Sequence, residues 1–143
     1  MTVARILDKK GYKVFSIGEA LPVRAIVDEL ARNRIGVLIV KNAQGDGVGI
    51  VSERDVIAEL SSNFDSRKTA GELMTHSLVR CALDDTEGDI MERMGKAGVR
   101  HLPVQHGGRL VGLVSARDHL NLRIEKLNEL MADIRSAAAK QLP

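Results

Sequence analysis

The chain has 143 residues, 44% apolar and 28% charged, with 21 Lys and Arg against 19 Asp and Glu and a formal charge of +2. That balance names no polyanionic partner, and an aromatic content of 2% (Tyr12, Phe15, Phe64, no Trp) leaves no platform for stacking single-stranded nucleic acid. Cys81 is alone, which rules out an internal disulfide and disfavours a thiolate metal site, and no apolar run reaches membrane-span or signal-peptide length, so a cytoplasmic location is expected.

In chain order, residues 1–11 read as a short helical segment. A first unit over residues 12–61 opens with a strand near Lys13–Ile17. Val23, Ile26, Val27 and Leu30 then recur at the i, i+3, i+4, i+7 spacing of one helical face, which predicts a helix over Pro22–Arg34. Strands follow at Gly36–Val40 and Val48–Ser52, joined at Gly45-Asp46-Gly47, where a hairpin needs residues that tolerate positive φ. A helix over Glu53–Ser61 completes the unit. Asn63–Lys68 is a polar linker, and Ala70–Thr75 leads into a second unit over residues 70–122. Its strands are expected near Leu78–Ala82, His101–Gln105 and Leu110–Ser115, its helices from Glu87 and Ala116, and its hairpin turn at Gly107-Gly108. Residues 123–143 read as a C-terminal helix.

The two units are copies. GIVSERDV from Gly49 returns 63 residues on as GLVSARDH from Gly112, and IGVLIV from Ile35 corresponds to VRHLPV from Val99 at an offset of 64. The one-residue change falls in the hairpin, where a deletion is tolerated. Each copy reads β-α-β-β-α, with helices on one sheet face only, so two copies are expected to pack about a pseudo-twofold axis as one α+β tandem.

Ser52-x-x-Asp55 and Ser115-x-x-Asp118 each precede an apolar helix. That pattern is a capping box, in which the pair satisfies backbone donors at the helix start. It is also a ligand-holding pattern. An ionised Asp accepts both hydrogens of a ribose cis-diol, the helix N-terminus suits phosphate, and Arg54 and Arg117 in the first turn can add guanidinium groups. Asp84, Asp85 and Glu87 sit at a helix start, where charge is favourable without catalysis. The four histidines form no ligand spacing with each other or with Cys81, and no nucleophile has a legible base. No metal and no enzymatic activity are expected.

The paired GIVSERD and GLVSARD segments, the HLPV strand and the GELMT lead-in together resemble the CBS (cystathionine β-synthase) domain family over residues 12–61 and 70–122. The resemblance implies a tandem CBS pair, a regulatory module whose clefts take AMP, ADP, ATP, S-adenosylmethionine or NAD(H) and pass occupancy to a partner or to its own dimer. It implies ribose contacts at Ser52, Asp55, Ser115 and Asp118, and an adenine edge at Ile35, Gly36 and Val37 and at Arg100, His101, Leu102 and Pro103. No resident cofactor is required. The rigid Pro103 edge leads to an expectation of tighter binding on the Ser115–Asp118 side. From Leu120, the series Ile124, Leu127, Met131, Ile134 and Ala138 recurs at a/d spacing, which points to a homodimer. The alternative is a ligand-free dimerisation or protein-interaction scaffold. DNA binding finds no basic helix face, and no membrane association is expected.

Overall fold

The structure is a computed structural model that describes residues 1–76 and 78–142. In order it forms α1 (Val3–Lys10), β1 (Ser16–Gly18), α2 (Val23–Asn33), β2 (Val37–Lys41), β3 (Gly47–Ser52) and α3 (Glu53–Ser61), then α4 (Ala70–Leu73), β4 (Cys81–Ala82), α5 (Glu87–Ala97), β5 (His101–His106), β6 (Arg109–Ser115) and α6 (Ala116–Lys140). The repeat is carried by two three-stranded sheets, β1-β2-β3 and β4-β5-β6, each with a parallel and then an antiparallel pair. The registers agree, with Val37 opposite Ser52 and His101 opposite Ser115.

The pleat sends alternate side chains to opposite faces. Leu38, Val40 and Val51 join Val23, Ile26 and Leu30 of α2 in one core, and Leu102, Val104 and Val114 join Ile90 and Met94 of α5 in another. Ile39 and Pro103 are fully buried yet belong to neither core. They lie on the helix-free faces, where the two sheets meet. A Cβ on Gly47 would touch both Ile39 of its own sheet and Leu110 of the other.

Besides β1, which starts at Ser16 rather than near Lys13, two elements differ from expectation, and Pro103 bears on one. In the first sheet Ile39 donates its N–H to the Phe15 carbonyl at 3.0 Å. Its counterpart Pro103 has no N–H to give. The ladder of the second sheet therefore starts only at Cys81, one position later than in the first, where Ser16 already pairs with Ile39; Leu78 and Val79, like their counterparts Val14 and Phe15, are not strand. The Arg80 carbonyl instead accepts from Arg93 at 3.1 Å. The other difference is α6, one uninterrupted helix from Ala116 to Lys140, so the expected division between residues 122 and 123 falls inside it. The last residue expected in that helix, Pro143, lies outside the described residues.

The lead-in segments are exchanged between the halves. Helix α1 precedes the first copy, but Val3, Ile6 and Leu7 belong to the core of the second. Its N-terminus is held by Val3 N–H to the Asp85 carbonyl and Ala4 N–H to the Leu83 carbonyl, each at 2.9 Å. Helix α4 precedes the second copy, but Ala70 belongs to the first core and donates to the Leu21 carbonyl at 2.8 Å. Two glycines make room. The Leu7 side chain lies against Gly112, and Met74 lies at the equivalent place against Gly49.

Where the first core has Val23 and Val56, the second has Glu87 and His119, with Nδ1 of His119 2.6 Å from Oε1 of Glu87 and Arg123 Nε at 3.3 Å. Cys81 is buried, and burial followed by the nearby Asp85 pushes its thiol up to about 11, so it stays protonated and acts as a small apolar side chain. Among the described residues, no helix is long and apolar enough to cross a membrane.

Candidate functional site

Strands β3 and β6 end at equivalent serines that cap the helices following them. Asp55 N–H donates to Ser52 Oγ at 3.3 Å, and Asp55 Oδ2 accepts the Ser52 N–H at 2.7 Å. In the second copy, Asp118 N–H donates to Ser115 Oγ at 3.1 Å and Asp118 Oδ2 accepts the Ser115 N–H at 2.8 Å. Both motifs are thus complete capping boxes. Capping and binding are compatible, because the box fixes each carboxylate at the mouth of a helix N-terminus.

A cavity of about 630 Å³ opens between the two halves. It brings together residues expected separately in each copy: Gly36, Val37, Ser52, Arg54 and Asp55 from the first, and Arg100, His101, Ser115 and Arg117 from the second. Four expected residues lie elsewhere. Ile35 packs against the first core, and Leu102 is fully buried in the second. Pro103 is buried between the sheets. Asp118 is turned toward α1, where Lys10 Nζ stands 2.7 Å from its Oδ2. At Gly36 the Glu53 side chain packs close, and its Oε1 would lie 3.1 Å from a Cβ there.

Sequence reasoning missed Thr75, Leu78 and Val79, which line the cavity beside Ile50 and Val99. Part of the signal was the proline: Pro103 cannot donate to Val79 as Ile39 donates to Phe15, so that segment has one tie to the sheet fewer. Thr75 is held in place by a two-bond backbone bridge to Ile50, at 2.8 and 3.2 Å.

The site's charge is mixed but favours anions. Arg54, Arg100 and Arg117 face it against Glu53 and Asp55, and the N-termini of α3 and α6 both end on it, each adding the positive end of a helix dipole. Burial, then the cations of Arg100 and Lys10, hold the His101 imidazole below its ordinary range, with Asp118 opposing weakly, so the ring is neutral at neutral pH. Outside the cavity, the acidic group at the start of α5 has a structural task. Asp85 is clamped by both Nη atoms of Arg93, at 2.5 and 3.1 Å, which holds its carboxyl below the usual range. Among the described residues, no group of three or more His, Cys, Asp or Glu side chains could hold a metal ion.

The family model for the CBS domain matches residues 3–62 and 70–118. The first segment begins at Val3, inside α1. Among curated proteins, the chain is 33% identical over 108 residues to an uncharacterised 17.7 kDa protein of Acidianus ambivalens, covering 74% of this chain and 65% of that one. The chain spans 39% to 65% of the length of the curated relatives it matches. Among solved structures, the CBS-domain protein ATU1752 of Agrobacterium tumefaciens superposes with a TM-score of 0.82 at 30% identity, over 86% of this chain and 99% of that one. The CBS domain protein PAE2072 of Pyrobaculum aerophilum, solved with AMP, gives 0.75 at 26% identity, over 82% and 89%.

Proposed function

Because this chain belongs to the CBS domain family, we propose that it is a regulatory module that binds an adenosine phosphate in the cavity between its halves and transmits occupancy to a partner or to a second copy. One observation carries the reading: three guanidiniums and two capped helix N-termini converge on a cavity that also holds the Ser52–Asp55 pair. The AMP held by the Pyrobaculum aerophilum relative supports the same ligand class. Asp55 accepts the ribose diol, the arginines and helix starts take the phosphates, and the aliphatic wall of Ile50, Leu78, Val79 and Val99 receives the base. Net positive lining favours a phosphate over the sulfonium cation of S-adenosylmethionine. NAD(H), with a second nucleoside to place, is ranked below the mononucleotides.

Thermal unfolding with millimolar AMP, ADP, ATP, NAD, NADH and S-adenosylmethionine tests this. A ligand at ~100 times its Kd adds about 2.7 kcal/mol, which raises Tm by roughly 2–4 °C per kcal/mol in a chain of this size. The adenosine phosphates are expected to give the largest shifts, and Asp55→Asn to cut them by about half or more. Melting curves unmoved by all six compounds would leave the scaffold reading, which the ligand-independent capping boxes and the exposed stripe of α6 favour.

A further inference from the structure

The lead-in segments overlay through their glycine contacts, with Leu7 on Gly112 corresponding to Met74 on Gly49. From that point they diverge. Helix α4 ends at Leu73, Met74 is extended at φ −65° and ψ 155°, and Thr75 lies beside Ile50 as part of the cavity wall. Helix α1 instead continues past Leu7 to Lys10. Leu113, the counterpart of Ile50, therefore has no extended neighbour on the edge away from β5 among the described residues, and its carbonyl accepts from Lys10 Nζ at 2.9 Å. The same ammonium reaches Asp118 Oδ2 at 2.7 Å. The Asp118 carboxylate is only 15% exposed. Asp55, its counterpart, lines the cavity and has no cation in the equivalent place among the described residues.

We propose that the second of the two pseudo-equivalent ribose positions is closed by Lys10 of the same chain, so that the module takes one ligand, on the Ser52–Asp55 side. This rests on the nucleotide reading above for the ligand's identity, but the closure itself does not. A diol entering beside Asp118 must displace a cation from both a carboxylate and a carbonyl and replace it with neutral hydroxyls, a losing exchange where charge-assisted bonds are the stronger ones. Nothing displaces a cation at Asp55. The ranking expected from Pro103 is thereby reversed. Rigidity of the adenine edge cannot help a position whose ribose acceptor is engaged.

Calorimetric titration with AMP decides the stoichiometry. The wild-type chain is expected to bind one AMP, Asp55→Asn to weaken it at least tenfold, and Asp118→Asn to leave it within twofold. Lys10→Met keeps the apolar stem and removes the ammonium. It is expected to raise the stoichiometry to two, and Lys10→Met with Asp118→Asn to return it to one. Two AMP per wild-type chain, a tenfold loss in Asp118→Asn, or one AMP still bound to Lys10→Met would each overturn the proposal. If the wild-type chain binds no AMP, the nucleotide reading fails and the closure is judged without ligand, by thermal unfolding of the same variants. A Tm loss in the double variant smaller than the sum of the single losses supports the Lys10–Asp118 contact, and additive losses overturn it.

Discussion

Replacing Gly112 with Ala tests the exchanged packing at its tightest point. The added Cβ would lie 2.6 Å from Leu7 Cδ1 and 3.0 Å from Cδ2. Leu7 is fully buried, and its helix is pinned by two backbone hydrogen bonds to the loop before α5, so the side chain has little room to yield. Overpacking of this kind costs about 1–3 kcal/mol, roughly 2–12 °C of Tm at about 2–4 °C per kcal/mol. Leu7→Ala alone should cost about 2–5 kcal/mol through the cavity it leaves. In the double variant the new methyl enters that cavity, so the double variant should be no less stable than Leu7→Ala, a coupling of about 1–3 kcal/mol. Urea unfolding with unchanged m reads these differences. Gly95→Ala is the control, because no atom lies within 4 Å of its added methyl and a helix gains about 0.5–1 kcal/mol from that change. Additivity of the Leu7 and Gly112 effects within ~0.5 kcal/mol would refute the contact.

The depressed His101 sets a pH response: its contribution to stability is present above the unfolded value of about 6.5 and is lost as pH falls through its lower folded value. Tm should fall between pH 7.5 and 5, less steeply in His101→Gln; equal slopes in variant and wild type would exclude His101 as the source. In α6, Ile124 and Leu127 are 49% and 58% exposed, so replacing both with Asp should convert a dimer to monomers in sedimentation and remove any dependence of Tm on protein concentration, since carboxylates in an apolar seam are costly. A wild-type monomer at micromolar concentration would end the dimer proposal.

The repeat, the helical faces of α2 and α5 and the capped helix starts were legible because each rests on short-range chemistry: periodicity at Val23, Ile26 and Leu30, and side-chain acceptors three residues before acidic partners. The cavity was half legible. The Ser52–Asp55 end follows from the motif, but the wall of Thr75, Leu78 and Val79 is set by the Thr75–Ile50 backbone bridge, which no local pattern announces. The roles of Leu7 and Lys10 were illegible for a different reason. A leucine and a lysine near the end of a short amphipathic helix look alike whether the helix lies on its own copy or on the other. Only contacts distant in sequence distinguish the two, such as Val3 with Asp85 and Lys10 with Asp118.

The exchange of α1 and α4 has a consequence for the order in which the molecule can be made. At roughly 5–20 residues per second of synthesis, α1 emerges several seconds before Gly112, the residue that receives Leu7. Until then its apolar face, Val3, Ile6 and Leu7, has no surface to cover it. The first core is likewise incomplete until Ala70 follows the linker. The nascent chain therefore carries an uncovered amphipathic helix until the second half has been made. Closure of the second half around that helix is the step that ends its exposure to chaperones and proteases.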